Sequence, residues 1–182
     1  MADRDGGFDW AAPDEQVHAF VNDVERAFGT LLLGRRMYET LAPWETMDVA
    51  GEPAVMADFQ RIWLAADKVV YSRALDAAAT SRTRIERDFD PGTVRALVER
   101  SATDVAIGGP TLAAQAFAAG LVDEVHVFLA PVIVGGGLRA LPDDVRVGLE
   151  LVDEHRFGSG VAHLHYRAAD PAVALARTGA DS

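Results

Sequence analysis

Leu31-Leu32-Leu33-Gly34-Arg35-Arg36-Met37 and Val105-Ala106-Ile107-Gly108-Gly109-Pro110-Thr111-Leu112 share one pattern: a short apolar run, a glycine, and the start of a helical segment. A short, wholly apolar run reads as a strand buried on both faces. Glycine at its carboxyl end lets backbone N–H groups come close to a phosphate, and a helix that begins there adds favourable potential. Val69-Val70-Tyr71-Ser72-Arg73 repeats the pattern with serine in the glycine position. The carboxyl ends of strands line the ligand crevice of an open α/β sheet. The three segments together therefore predict a phosphate-binding edge, with Arg35, Arg36 and Arg73 adding charge-assisted bonds. For any single segment, a glycine that merely ends a strand is an equally good reading. Neither a GxGxxG run nor a Walker lysine is present, so spacing alone names no cofactor.

Around these segments, helical and strand-like runs alternate. Val17, Phe20, Val21, Val24 and Phe28 recur at helical spacing behind Pro13-Asp14-Glu15, with Asp14 as N-cap and Gly29 as the stop. Further helices are expected over Arg35 to Leu41, along Val55, Phe59, Ile62, Trp63 and Ala66, over Pro91 to Arg100, and over Thr111 to Ala119 before Gly120. Val125 to Val134 reads as a long strand interrupted at Pro131. Leu149 to Phe157 and Val161 to Arg167 flank Gly158-Ser159-Gly160 as a hairpin. The order predicts a three-layer α/β fold: a mostly parallel central sheet, helices on both faces and an antiparallel C-terminal hairpin. One domain is expected over residues 1–170, followed by a small, polar, flexible tail over 171–182.

The totals narrow the function. Net charge is −11 over 182 residues, with a single lysine, Lys68, among 17 basic residues. So acidic a chain is repelled by phosphate backbones, which disfavours nucleic acid; an anionic cofactor remains compatible where arginines and helix termini focus positive potential. There is no cysteine, which excludes disulfides and thiolate chemistry. The polar, acidic start and the lack of a long apolar run predict a cytoplasmic protein that does not enter a membrane.

Leu33-Gly34-Arg35-Arg36-Met37-Tyr38-Glu39 resembles the signature before the second helix of dihydrofolate reductases, and Ala106-Ile107-Gly108-Gly109-Pro110-Thr111-Leu112 the second glycine motif of that superfamily. Gly120-Leu121-Val122-Asp123-Glu124-Val125-His126 with Ala130-Pro131-Val132-Ile133-Val134-Gly135-Gly136-Gly137 is similar to the reductase domain of the riboflavin-biosynthesis deaminase-reductase. Lys68-Val69-Val70-Tyr71-Ser72 also matches small bacterial proteins of the dihydrofolate reductase family. The resemblance implies NADPH as cofactor. Gly34, Arg35, Arg36 and Met37 would hold phosphates at one helix start; Gly108, Gly109, Pro110, Thr111 and Leu112 would cradle the pyrophosphate from the other side. Ser72 and Arg73 would lie beside the adenosine ribose and its 2′-phosphate.

The reaction so implied is hydride transfer to a C=N or C=O bond of a small pterin- or pyrimidine-like heterocycle. Asp14 and Glu15, behind Trp10, are the candidate proton donors, since a carboxylate in half-apolar surroundings is suited to proton relay; capping of the helix by the same residues is the competing reading. Relatives begin with a further strand carrying a Ser-x-Asp-Gly-like segment, whereas this chain starts at Asp5-Gly6-Gly7-Phe8-Asp9-Trp10, so that strand is expected to be missing. Riboflavin-pathway relatives tend to place an acid before the Gly-Gly pair, where Ile107 stands, which favours the general reductase. Two alternatives stay open: a 5-amino-6-(5-phosphoribosylamino)uracil reductase, and a catalytically silent nucleotide-binding or dimerisation module. A homodimer through the hairpin and the run to Val134 is also expected. His163 and His165 face one side of a strand without an obvious third ligand nearby and read as a surface pair, so no metal is expected. His18 reads as solvent-exposed, and Trp63, with Trp44, as core or cleft wall.

Overall fold

The computed structural model describes residues 2–169; the tail expected over 171–182 lies outside them. Residues Pro13–Gln115 form one compact unit, and the described residues of 1–12 and 116–182 form another.

The first unit holds α1 (Glu15–Glu25), β1 (Phe28–Gly34), α2 (Arg35–Leu41), α3 (Ala54–Ala65), β2 (Asp67–Tyr71), β3 (Thr83–Glu86), α4 (Pro91–Arg100), β4 (Asp104–Gly108) and most of α5 (Pro110–Ala118). Its four strands are parallel, in the order β3-β2-β1-β4. Asp14 is extended and its Oδ1 accepts the Val17 amide at 2.8 Å, which starts α1 as the sequence predicts. Asp90 does the same for α4, through the amide of Thr93 at 2.7 Å.

Helix α1 stops three residues short of Phe28, which instead opens β1 opposite Asp104. The helical spacing up to Phe28 misleads because an aromatic residue fits the end of a buried strand equally well. Gly29 is thus not a helix stop but a close approach: a Cβ there would collide with Thr103 Oγ1. Strand β3 gave no signal, because Thr83-Arg84-Ile85-Glu86 is a polar edge strand with one aliphatic side chain.

Register sets the core. Leu31 and Leu33 of β1 face the same side as Val70, and with Tyr38, Trp63 and Ala66 they form a buried cluster against which Phe28, Met37, Trp44 and Phe59 pack. Leu32 and Val69, side by side on the other face, are equally buried. Lys68 lies in the first face. Its ammonium, buried, donates to the carbonyls of Trp63 (2.8 Å) and Ala66 (2.9 Å) at the end of α3, and stands 4.6 Å from the Trp63 ring centre. Burial pushes its pKa down, and the Glu45 carboxylate pulls it back up. Glu45 in turn accepts from Trp63 Nε1 and the Ser81 amide.

Glu25, at the end of α1, has its pKa pushed up to about 7 by burial. Below the unfolded value of 4.5 both states are protonated and nothing is lost. As pH rises toward 7 the unfolded chain releases its proton first, so stability falls, by up to about 3 kcal/mol above that range. A Glu25→Gln variant is expected to match the parent at pH 4 and to exceed it at pH 8 in urea unfolding. Equal pH profiles would show that the carboxyl is solvated.

In the second unit, β5 (Glu124–Leu129), β6 (Leu149–Arg156) and β7 (Ala162–Ala168) form an antiparallel sheet in the order β5-β7-β6. The expected hairpin turns at Gly158-Ser159-Gly160. The long apolar run leaves the sheet at Leu129, since Pro131 has no N–H to give a ladder. No helix among the described residues is long and apolar enough to cross a membrane.

Candidate functional site

Chain order runs outward from β1 through β2 to β3 and then returns to the opposite flank of β1 with β4. The order therefore reverses between β1 and β4, and open α/β sheets bind ligands outside the carboxyl ends of the strands at such a switch point. Gly34 and Gly108 end those two strands, and register sets Leu33 against Gly108 and Gly34 against Tyr71. Gly34, Ser72, Gly108 and Gly109 accordingly share one edge of the unit.

Gly34 is the N-cap of α2 and has no side chain to cap it, so no cap side chain occupies the first-turn amides of that helix. Gly109 has φ +96°, a backbone state that a Cβ would strain. A Cβ built there would lie 3.6 Å from Met37 Cβ and 3.7 Å from the Gly34 nitrogen. The Gly109 carbonyl accepts the amides of Leu112 and Ala113 and so opens α5, with Pro110 at its first position, where a missing N–H is harmless. Thr111 is exposed, and Leu112 is buried, its Cβ 3.8 Å from the place a Gly34 Cβ would take. At Gly108 a Cβ would press on Leu33 and Met37. Bare backbone from two turns thus meets at the switch point and forms a glycine cradle there.

Two of the three arginines there have partners. Arg35 Nη1 holds Glu39 at 2.8 Å, and Arg73 is paired with Asp88; both pairs are exposed. Arg36 is exposed. Ser72 is buried, and its Oγ accepts the amides of Ala74 and Leu75, which shapes the loop after β2. Arg87, which no sequence motif marks, donates to the carbonyls of Ser72 and Leu75 and holds the same loop. Tyr38 anchors that loop farther along by accepting the Ala79 amide at 2.8 Å.

Asp14 and Glu15 are exposed, and Asp14 is engaged as the cap described above. His18 is not at the surface. It is half-buried with its ring 6.2 Å from Trp44 and 5.8 Å from Phe59, and burial lowers its pKa against the pull of Asp58. Trp63 is core, as expected. A separate open depression lined by Arg26, Phe28, Asp58, Arg61 and Thr103 lies near the amino end of β1, away from the glycine edge.

The second unit corrects the reading of His163 and His165 as a surface pair. His163 is 2% exposed and His165 half-buried, and both face His126 from β5. Burial first, and neighbouring imidazoles second, lower the pKa of His126 and of His163. Strand register brings in His126 from 37 residues away, which local spacing could not reveal.

A putative riboflavin biosynthesis protein from Shewanella sp. PV-4 shares the fold, with a TM-score of 0.71 and 14% identity over 93% of this chain and 92% of that one. A pyrimidine reductase-like protein from Corynebacterium diphtheriae superposes with a TM-score of 0.55 at 14% identity, covering 87% and 83%. No curated protein sequence matches. At such identities the likeness carries the fold alone, which is the dihydrofolate-reductase-like α/β fold. Sequence adds the family: the model of the RibD C-terminal domain matches residues 1–163, and the chain belongs to that family.

Proposed function

We propose that this protein is an NADPH-dependent reductase whose substrate is a phosphorylated ribosylamino-pyrimidine, 5-amino-6-(5-phosphoribosylamino)uracil, reduced to its ribitylamino form. The observation that carries the reading is the glycine cradle at the β1–β4 switch point, in a chain of the RibD C-terminal domain family. That family match outweighs the preference for a general reductase over the riboflavin-pathway enzyme drawn from Ile107, which stands opposite Leu32 inside the sheet. NADPH, when bound, supplies the hydride. The amides of Arg35, Arg36 and Met37, with Gly34, Gly108, Gly109 and Thr111, would hold its phosphates, and Pro110 and Leu112 fix the second turn. Ser72 and Arg73 would take the ribose and its 2′-phosphate. Arg73 would exchange Asp88 for that phosphate at little cost, because exposed ion pairs contribute about 0–1 kcal/mol. Asp14 or Glu15 would hold the proton that completes the reduction.

The test is a fluorescence titration with NADPH and NADH, followed by turnover with the pyrimidine substrate. NADPH is expected to bind at least tenfold more tightly than NADH, with the difference shrinking in Arg73→Ala. Failure to bind either dinucleotide would end the reading. Engagement of Asp14 in capping favours the silent module as the second reading; NADPH binding without oxidation of the nucleotide would establish it. A cytoplasmic homodimer goes with the proposal. Exposed Leu149, Leu151 and Val152 on the edge strand β6 support self-association, and light scattering showing a monomer at high concentration would refute it.

A further inference from the structure

Four of the five histidines lie on the antiparallel sheet, far from the glycine cradle in sequence. His126 and His165 are directly cross-strand, with rings stacked 4.2 Å apart, and Glu124 lies two residues before His126 on the same face of β5. One ligand atom from each of Glu124, His126 and His165 lies within 4.8 Å of the others. Tetrahedral zinc with bonds of about 2.0–2.2 Å needs neighbouring ligand atoms about 3.3 Å apart. His165 Nε2 and Glu124 Oε2 are already 3.0 Å apart.

We propose that Glu124, His126 and His165 form a binding site for a divalent transition metal of the zinc class. Nδ1 of His126 is engaged by His163 Nε2 at 3.0 Å, which leaves Nε2 of His126 for the ion and fixes its ring. His165 contributes Nε2, and Glu124 its Oε2. Arg167 stands 3.6 Å from the other oxygen of Glu124 and orients the carboxylate. The two imidazoles and one carboxylate are the donor set of open zinc sites, which keep a fourth position for water or another ligand. Backbone rigidity favours the assignment: all three residues sit on paired strands, so a small change in side-chain torsions seats the ion.

The experiment is calorimetric titration of the full chain, stripped with chelator, with Zn²⁺ alone at pH 7.5. One equivalent is expected to bind with micromolar or better affinity and to raise the melting temperature. Affinity is expected to fall at least tenfold in Glu124→Gln and more in His165→Ala, with His155→Ala unchanged. Glu124 is exposed, so its variant tests the site even where a histidine variant fails to fold. Absence of binding, or binding that is equal in the parent and in Glu124→Gln, would overturn the proposal.

Discussion

A Trp63→Ala variant is expected to lose about 3–5 kcal/mol of stability, the range for removing a large buried aromatic side chain. Domains have only about 5–15 kcal/mol in total, so the change should remove a large share of the stability of the parallel-sheet unit. Three contributions act together. Trp63 is 1% exposed within the cluster of Leu31, Leu33, Tyr38 and Val70, its Nε1 donates to Glu45, and its ring faces the buried Lys68 ammonium. Truncation opens a cavity, frees one acceptor of Glu45 and strips the cation of its aromatic face. Trp63→Phe keeps a ring and much of the packing, and should cost less, with about 1 kcal/mol for the lost hydrogen bond. Urea unfolding followed by circular dichroism checks both without relying on the indole. A loss below about 1 kcal/mol for the alanine variant would show that the indole does not anchor the core.

Gly109→Ala is expected to weaken NADPH binding at least tenfold while the fold persists. At φ +96° an L-residue is strained by about 1–3 kcal/mol, and the new methyl would stand between the turns, over the Gly34 nitrogen. Space around it is ordinary, so backbone strain and a blocked approach to the amides carry the effect rather than a clash. Gly51→Ala is the matched control. Gly51 has φ +86° and nothing within 4 Å of a built Cβ, so it takes the same strain away from the cradle. Loss of binding in the Gly109 variant alone would support the site; equal binding in both would remove it from the switch point.

Much of the fold was legible because burial on both faces makes strands read as unbroken apolar runs. Leu31 to Leu33, Val69 with Val70, and Val105 to Ile107 stand in β1, β2 and β4 as expected, and Asp14 caps α1. Where local pattern failed, something nonlocal decided. Phe28 joins a strand because β1 pairs with β4 at that end. Thr83 to Glu86 forms an edge strand by pairing with β2, with no apolar run to announce it. Lys68, the single lysine, is buried because the end of α3 supplies carbonyls that accept from its ammonium.

The candidate site divides in the same way. The amino-acid sequence by itself determined which segments end in bare backbone, Gly34 and Gly108-Gly109, and carried enough pattern over residues 1–163 to define the family. Only the tertiary structure decided that these segments meet at a reversal of strand order. It also decided that Arg73 is held by Asp88, and that His126 stands against His165. Periodicity and glycine placement are properties of neighbours along the chain. Strand order, ion pairing and cross-strand contacts are set by which distant segments pack best together, and no local window contains that choice.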